Sequence, residues 1–600
     1  MIHKLLKGMI ILADAKLRKK LHQVDFCVIG GGMAGLLAAI SAARHGSKVV
    51  LMQDRPVLGG NASSEIRMWI RGAGLNNRET GILEEIALEN RYRNPDRNYS
   101  IWDSILFEKA KFEPNLTLLL NCSCNDLKMS GKRIKSIKGW QLTTYTWHEV
   151  EAEIFADCSG DSILAPLSGA EYMIGREAQN EFQEDIAPVE ADDRTMGLTC
   201  LLQARETDKY QEFIAPEWAY NYESDKDLPE RKHDLYDSDT NFWWLELGGN
   251  QDTIHDTENI RDELLKLAFG VWDHIKNKGD HGADNWKLDW VGFLPGKRES
   301  RRYVGEHILT QNDIMKEGKF NDIVAYGGWP MDDHDPDGFN HSGEPCAKHP
   351  TPSPYGIPYR CLYSSNIKNL MFAGRNISAT HAAMSSTRVM ATCAIIGQAV
   401  GTAAALAVQN QLTPGEIDNE RIVKLQQMLM DDDCYLPWLK RDIAQLTVNA
   451  NLTASEGDPE PLRNGIDRPV AGEDNGWIGS PDSWIQYSFS RPEDIKELRF
   501  VFDSDLTRET CTDNTVMRKH AMICNRTLGL EKSKVPSTLV KKFKIKILDE
   551  AGNWQEIVSR DNNYQRLVKI KTEVVARAVQ FIPKETWGSE NVHLYAWDVS

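Results

Sequence analysis

The chain has 600 residues, 41% hydrophobic and 26% charged, with a formal net charge of −17. That is an ordinary globular composition, long enough for two or three domains. The charge argues against nucleic acid or an anionic membrane as partner, and no apolar run approaches the ~20 residues that span a bilayer.

Residues 1–23 are an N-terminal segment. Lys4, Lys7, the apolar Met9–Leu12 and Ala13-Asp14-Ala15 sketch a signal peptide, but the apolar part is shorter than the ~7–15 residues needed. An amphipathic lead-in is the expectation. Val24–Ile29 then reads as a buried parallel strand, an Ala-rich helix runs to about His45, and Lys48–Met52 is a second strand. Between the first strand and the helix stand Gly30, Gly32 and Gly35 at G-x-G-x-x-G spacing. Gly30 permits the tight turn, Gly32 lets backbone approach a pyrophosphate, and Gly35 lets helix pack on strand. The helix N-terminus offers free N–H groups to the phosphates, so this unit is read as a dinucleotide site. The second strand of such a unit usually ends in an acidic ribose ligand. Gln53 stands there, followed by Asp54, and an amide can also bond hydroxyls.

Arg55 and the turn Gly59-Gly60-Asn61 come next. At this point the chain resembles FAD-binding flavoproteins of glutathione-reductase type, in which an R-x-x-x-GG segment follows the ribose position. Residues 369–405 resemble the second FAD fingerprint of that fold: a strand Asn369–Phe372, the turn Ala373-Gly374-Arg375, and a long small-residue helix. Many relatives carry Asp where Arg375 stands. Ile154–Cys158 followed by Ser159-Gly160-Asp161 resembles the turn where the chain leaves the FAD domain. The wording of residues 59–67, 294–302, 354–360 and 374–393 is similar to a bacterial group of FAD-dependent oxidoreductases. The resemblance covers roughly 24–440. It implies FAD as cofactor, held by Gly30, Gly32, Gly35, Gln53, Asp54, Arg55, Gly59, Gly60, Asn61, Gly160, Asp161, Gly374, Arg375, Thr387 and Arg388. Gly397 and Gly401 are read as close helix packing instead.

The expected fold class is α/β. A Rossmann-like FAD-binding domain (24–169 and 361–442) carries an inserted α+β substrate domain (170–360), and a C-terminal β-sandwich follows (443–600). The substrate region holds Trp243, Trp244, Trp272, Trp286, Trp290 and Trp329, which suit either core or stacking on sugar rings. It has no second G-x-G-x-x-G, so electrons are expected to come from an organic substrate and leave to another, unidentified acceptor. The run Lys297 to Arg302 is usually a solvated basic face. The preceding Pro295-Gly296 suggests an ordered loop instead, and Arg298 is a candidate for stabilising an oxyanion. Asp333, Asp335, Asp337, Gly338 and Glu344 match calcium-loop spacing, but Pro330, Pro336 and Pro345 argue against the flanking helices. Alcohol oxidation needs a base near neutral pKa, and the candidates are His334, His341 and His381, with the helix after His381 stabilising reduced flavin through its dipole.

Eleven cysteines read as reduced, buried thiols of a cytoplasmic protein, a periplasmic location being the alternative. No C-x-x-C flanks the FAD turn. Apart from the pair Cys122–Cys124, no cysteine–histidine spacing suits zinc, and no metal centre is expected. Beyond about residue 445, Leu498, Phe500 and Phe502, and then Phe543, Ile545 and Ile547, alternate with polar residues. This implies a β-sandwich, and its wording resembles discoidin-type (factor 5/8 C-type) jelly rolls, many of which bind carbohydrate. A structural cap or a homo-oligomer contact is the alternative for this domain. The expected reaction is oxidation of a secondary alcohol of a carbohydrate or glycoside to a ketone, with hydride passing to flavin N5. The alternatives are a C=C reductase or dehydrogenase of fumarate-reductase-like type, with Arg as proton donor, and a carbohydrate-binding protein with structural FAD.

Overall fold

The structure is a computed structural model that describes residues 17–236, 241–511, 522–523 and 525–600. Most of the N-terminal segment, including its A-x-A triplet, lies outside the described residues. The first strand, Arg18–Ile29, starts at Arg18 rather than at Val24.

A seven-stranded sheet organises the first part of the chain. Leu116–Leu119, Val49–Met52, Arg18–Ile29 and Thr146–Asp157 lie side by side and parallel. Arg133–Gln141 and Cys122–Ser130 add an antiparallel wing. The start of Thr146–Asp157 pairs with that wing, and its end pairs in parallel with Leu370–Phe372, which returns from much later in the chain. Val49–Met52 is buried throughout, as a parallel strand covered on both faces must be.

Helix Met33–Arg44 crosses from the first strand to the second, and helix Met390–Gln409 lies against it. Small residues allow that contact. A Cβ on Gly397 would sit 2.0 Å from the Ala34 carbonyl oxygen, and one on Gly401 2.1 Å from that of Ala38. These glycines serve close packing, as expected. The same helix corrects one expectation, since Met390–Gln409 is long and apolar enough by composition to cross a membrane. Thr392, Gln398 and Thr402 interrupt its apolar run in sequence, yet all three are fully buried. It is a core helix.

The inserted region divides differently from the expected 170–360 block. Ile323, Tyr326, Tyr355 and Ile357, on the paired strands Ile323–Gly327 and Tyr355–Pro358, pack into the same core as Phe26 and Leu36. A separate core is built mainly from residues 198–291, with Trp69 and Phe339 joining it, and includes Trp272 and Trp286, both fully buried.

The C-terminal unit is an antiparallel sandwich of seven strands. Its long strands Ile485–Phe502 and Leu567–Thr586 shift register near Ser488–Glu493 and Ile495–Glu497. These irregularities let Ile485–Phe502 pair with Asn451–Ala454 at one end and Val592–Val599 at the other. Leu498, Phe500, Phe502, Phe543, Ile545, Phe581 and Trp597 fill the centre.

Buried arginines dock this sandwich on the first part of the chain. Arg566 Nε pairs with Asp433 at 2.9 Å while its other nitrogens donate to the Phe502 and Asp467 carbonyls. Arg508 pairs with Glu84, and Arg468 donates to the Asn76 and Arg78 carbonyls while lying over the Tyr435 ring. Removing one partner of such a pair strands the other charge in a dry contact. Arg566→Leu is therefore expected to lower stability by about 3–5 kcal/mol, read as a fall in the denaturation midpoint. An unchanged midpoint would contradict this account of the docking.

Candidate active site

Three turns converge at the carboxyl ends of the parallel strands. Gly30, at φ +97°, leaves room for the turn after Thr146–Asp157: a Cβ there would lie 2.4 Å from the Cys158 carbonyl oxygen. Gly35 lets the helix sit on the strand, since a Cβ would meet the Gly30 carbonyl at 1.8 Å. Gly32 differs from both. A Cβ there would find only the Gly60 Cα, at 3.9 Å, and otherwise faces open space. Gly32 is also the cap of helix Met33–Arg44, which has no side-chain cap and no acidic residue in its first turn. Gly59 N–H donates to the Gly31 carbonyl at 2.8 Å, which sets the Gly59-Gly60 turn, with φ values of +101° and +58°, against this helix end.

The third turn is held from below. Asp157 is fully buried and accepts from Ser159 N–H, Ser159 Oγ, Leu164 N–H and the Tyr303 hydroxyl. Beyond it, Asp161 meets Lys297 at 2.8 Å, Ser300 Oγ at 2.8 Å and Arg375 at 2.7 Å. Burial alone would raise the Asp161 carboxyl, but Arg375 and Lys297 outweigh it and hold it below its ordinary range. Arg375 thus shares the Asp161 carboxylate with Lys297.

These turns line one end of a cavity of about 1060 Å³. That exceeds the ~300–1,000 Å³ typical of a site for one drug-sized ligand. Despite the acidic chain, nine basic and five acidic side chains line it among the described residues, which suits a pyrophosphate. Gln53, Asp54, Arg55, Gly60, Asn61, Gly160, Gly374 and Arg388 all border it. Gln53 is not a free ribose ligand: its Oε1 accepts Gly31 N–H at 2.6 Å and its Nε2 donates to the Val57 carbonyl. It shapes the glycine turn instead. Asn61 Nδ2 donates to the Lys297 carbonyl at 3.0 Å. Thr387 is buried and does not reach the cavity wall.

The other end of the cavity holds Trp69, Trp243, Trp244, Trp329, Arg298, His334, Asp332 and Cys346. His334 Nδ1 faces Glu246 Oε2 at 2.7 Å, and its Nε2 lies 3.5 Å from Asp332. Arg298 donates to the Trp243 carbonyl at 2.7 Å and pairs with Glu246 at 3.3 Å. Burial pushes the Glu246 carboxyl up, but Arg298 and His334 hold it below the usual carboxylate range. Asp332 is likewise held well below that range by His334 and Arg388 against the effect of burial. Arg388 donates to the Asp332 carbonyl at 2.8 Å. Buried Arg388 Nε, Arg375 Nε, Asp332 Oδ1 and Trp329 Nε1, all on cavity-lining residues, have no protein partner.

Two of the three histidine candidates are corrected by this geometry. His381 is clamped between Glu299 at Nδ1 and Asp333 at Nε2, each at 3.0 Å. Burial works against its charge, but the two carboxylates outweigh it and raise its pKa to about 10. A ring that keeps both protons at neutral pH is not a base. It lines no part of the cavity, and neither does His341, which lies beside Asp335 at 3.3 Å, about a third exposed. The expected helix dipole is also misplaced. Helix His381–Thr387 has seven residues, and its first N–H donates to Glu177. The helix whose uncapped start lines the cavity is Met390–Gln409, through Val389 and Met390. The calcium-loop residues do not converge, because Asp333 turns inward to His381 while Asp335 and Asp337 lie with His341.

The basic run is not a solvated face. Arg298, Glu299, Ser300 and Arg302 are buried, and Arg302 pairs with Glu177 at 2.9 Å. Of the tryptophans, Trp272 and Trp286 are core, while Trp290 lies under the Arg67 guanidinium. Sequence reasoning missed Glu246, Trp69 and Lys232, which carry no local motif. The ten described cysteines are unpaired.

Comparison with known proteins bears on the cofactor. A family profile described as FAD dependent oxidoreductase matches residues 25–429. Fumarate reductase (cytochrome) from Shewanella frigidimarina is 56% identical over 39 residues, 6% of this chain and 7% of that protein's length. The C-terminal part is similar to a family 32 carbohydrate-binding module from Streptococcus pneumoniae EndoD, at 11% identity and TM-score 0.19, covering 26% of this chain and 97% of the module. It is also similar to the corresponding module of AlyQ, solved with 4,5-unsaturated mannuronic acid, at 12% identity and TM-score 0.18, covering 27% and 98%. The strand pairing of this unit by itself makes it a sandwich. The open space before Gly32, the uncapped helix end and the unpartnered guanidinium nitrogens fit FAD.

Two outcomes follow. Gly32→Val puts a branched side chain into the open space before the helix, so the variant is expected to purify with less than a tenth of the wild-type flavin and unchanged far-UV dichroism; full flavin content would contradict the placement. The His381 ion pairs contribute to stability in full below pH 6.5, where the ring is protonated folded or unfolded, and this contribution is lost as pH rises through about 10. Unfolding free energy is expected to fall over that window, and His381→Asn to remove that part of the slope.

Proposed function

The chain belongs to the family of FAD dependent oxidoreductases, and we propose that it oxidises a secondary alcohol of a carbohydrate-type substrate to a ketone. The observation that carries this reading is His334 on the cavity wall, with the buried Glu246 carboxylate behind it at Nδ1. A carboxylate at Nδ1 assigns the ring proton to that nitrogen, and Nε2, unlike that of His381, has no carboxylate closer than Asp332 at 3.5 Å to hold a second proton there. His334 Nε2 takes the hydroxyl proton. Asp332, at 3.5 Å from Nε2, stabilises the ring once it is charged, and Glu246, itself paired with Arg298, holds its orientation. When bound, FAD supplies the two-electron acceptor for the hydrogen leaving carbon.

Trp69, Trp243, Trp244 and Trp329, interleaved with Lys232, Asn241, Glu344 and Lys348, support a sugar: flat apolar walls for a ring's C–H face, with donors and acceptors for its hydroxyls. Asn241 Oδ1 is buried without a protein partner, as a substrate-facing acceptor would be. The second reading is reduction or desaturation of a C=C bond, favoured by Arg388 on the cavity wall and by the short fumarate-reductase similarity. In it, an arginine would donate the proton.

His334→Gln separates the two. With an alcohol substrate, the variant is expected to reduce its flavin about 10²–10⁴-fold more slowly, with flavin content unchanged. Wild-type rates in that variant, together with loss of activity in Arg388→Lys, would favour the C=C reading.

A further inference from the structure

Outside the cavity, four side chains of the inserted region point at one another. Asp225 begins the 3-10 turn Asp225–Asp227, and His233 follows it. His274 opens the π-helical turn His274–Lys278 at the end of helix Thr257–Asp273, and His281 lies in the loop beyond. Each offers one ligand atom, and all four atoms lie within 4.8 Å of one another. None of the four lines the cavity.

The details are those of a coordination shell. Asp225 Oδ1 lies 2.9 Å from His274 Nε2, 3.3 Å from His281 Nε2 and 3.5 Å from His233 Nε2. His274 and His281 face each other Nε2 to Nε2 at 3.1 Å. A tetrahedral shell with bonds of ~2.0–2.1 Å has ligand–ligand edges of roughly 3.3–3.4 Å, and the observed separations bracket that value. The tautomers agree. His274 Nδ1 faces the Tyr222 carbonyl at 3.0 Å, and His233 Nδ1 the Arg231 carbonyl at 2.6 Å. A carbonyl only accepts, so both rings carry their proton on Nδ1 and turn the Nε2 lone pair inward. Lone pairs converging on a carboxylate need a positive centre between them. Gly279 permits the approach: a Cβ there would lie 2.0 Å from His281 Nε2.

We propose that Asp225, His233, His274 and His281 form a structural zinc site. Three imidazoles and one carboxylate in a closed four-ligand set suit Zn²⁺ over the oxygen-seeking Ca²⁺ and Mg²⁺. The fully buried His274 anchors the set, and the largely exposed Asp225 side chain leaves a path for the ion. The site ties the segment 222–233 to the helix end. That segment carries Glu230 and Lys232, which line the cavity, so the ion would brace one wall of the substrate end.

The test is metal analysis of the purified, flavin-loaded full chain, followed by zinc titration of chelator-treated protein and by Co²⁺ substitution. About one zinc per chain is expected, with visible ligand-field bands of tetrahedral cobalt. Asp225→Asn and His281→Gln, at the open edge of the site, are each expected to weaken zinc binding by more than about 10-fold while keeping full flavin content. Failure of the wild type to bind zinc under buffered titration would overturn the proposal. So would octahedral cobalt bands, or wild-type zinc affinity in both variants.

Discussion

Six consecutive residues, Lys297 to Arg302, hold the two ends of the cavity in register. Buried charges persist only when they are paired, and here the partners alternate between neighbouring elements. Lys297 and Ser300 reach Asp161 on the nucleotide side. Arg298 reaches Glu246 in the inserted region, Glu299 meets His381, and Arg302 reaches Glu177. Shifting this strip by one residue would leave several charges unpaired in a dry core. The strip therefore sets where Asp161, Arg375, Glu246 and His334 stand relative to one another.

From that constraint the division of labour follows. At one end, the backbone offers the surface for binding: Gly32 leaves space and two helices begin without side-chain caps. At the other end, side chains would carry the proposed chemistry. Within that end, the Glu246 carboxylate that pairs with Arg298 is also the one that orients His334. His381 belongs to the scaffold. Its charge is locked between Glu299 and Asp333, which keeps the strand Met331–His334, and so His334, in place.

Much of the nucleotide end was legible in the sequence, because its determinants are local. Strand, glycines and helix follow one another within residues 24–52, and Gly397 and Gly401 recur at helical spacing. The sandwich was legible for the same reason, through the alternation at Leu498–Phe502 and Phe543–Ile547. The chemical end was not. Glu246 and His334 are 88 residues apart, and no local pattern joins them. His381 looked like a base from its position, but its character comes from Glu299 and Asp333, which only the tertiary fold brings to it. The zinc ligands, scattered between 225 and 281, have no finger-like spacing and became visible only as a cluster.

The proposal that this flavoprotein takes electrons from an alcohol is tested most directly by an anaerobic visible spectrum of the flavin-loaded protein titrated with a panel of sugars and glycosides. One of them is expected to bleach the flavin band and yield a carbonyl product. A flavin that stays oxidised with every sugar, yet is reduced by dithionite and reoxidised by an unsaturated acid, would contradict it.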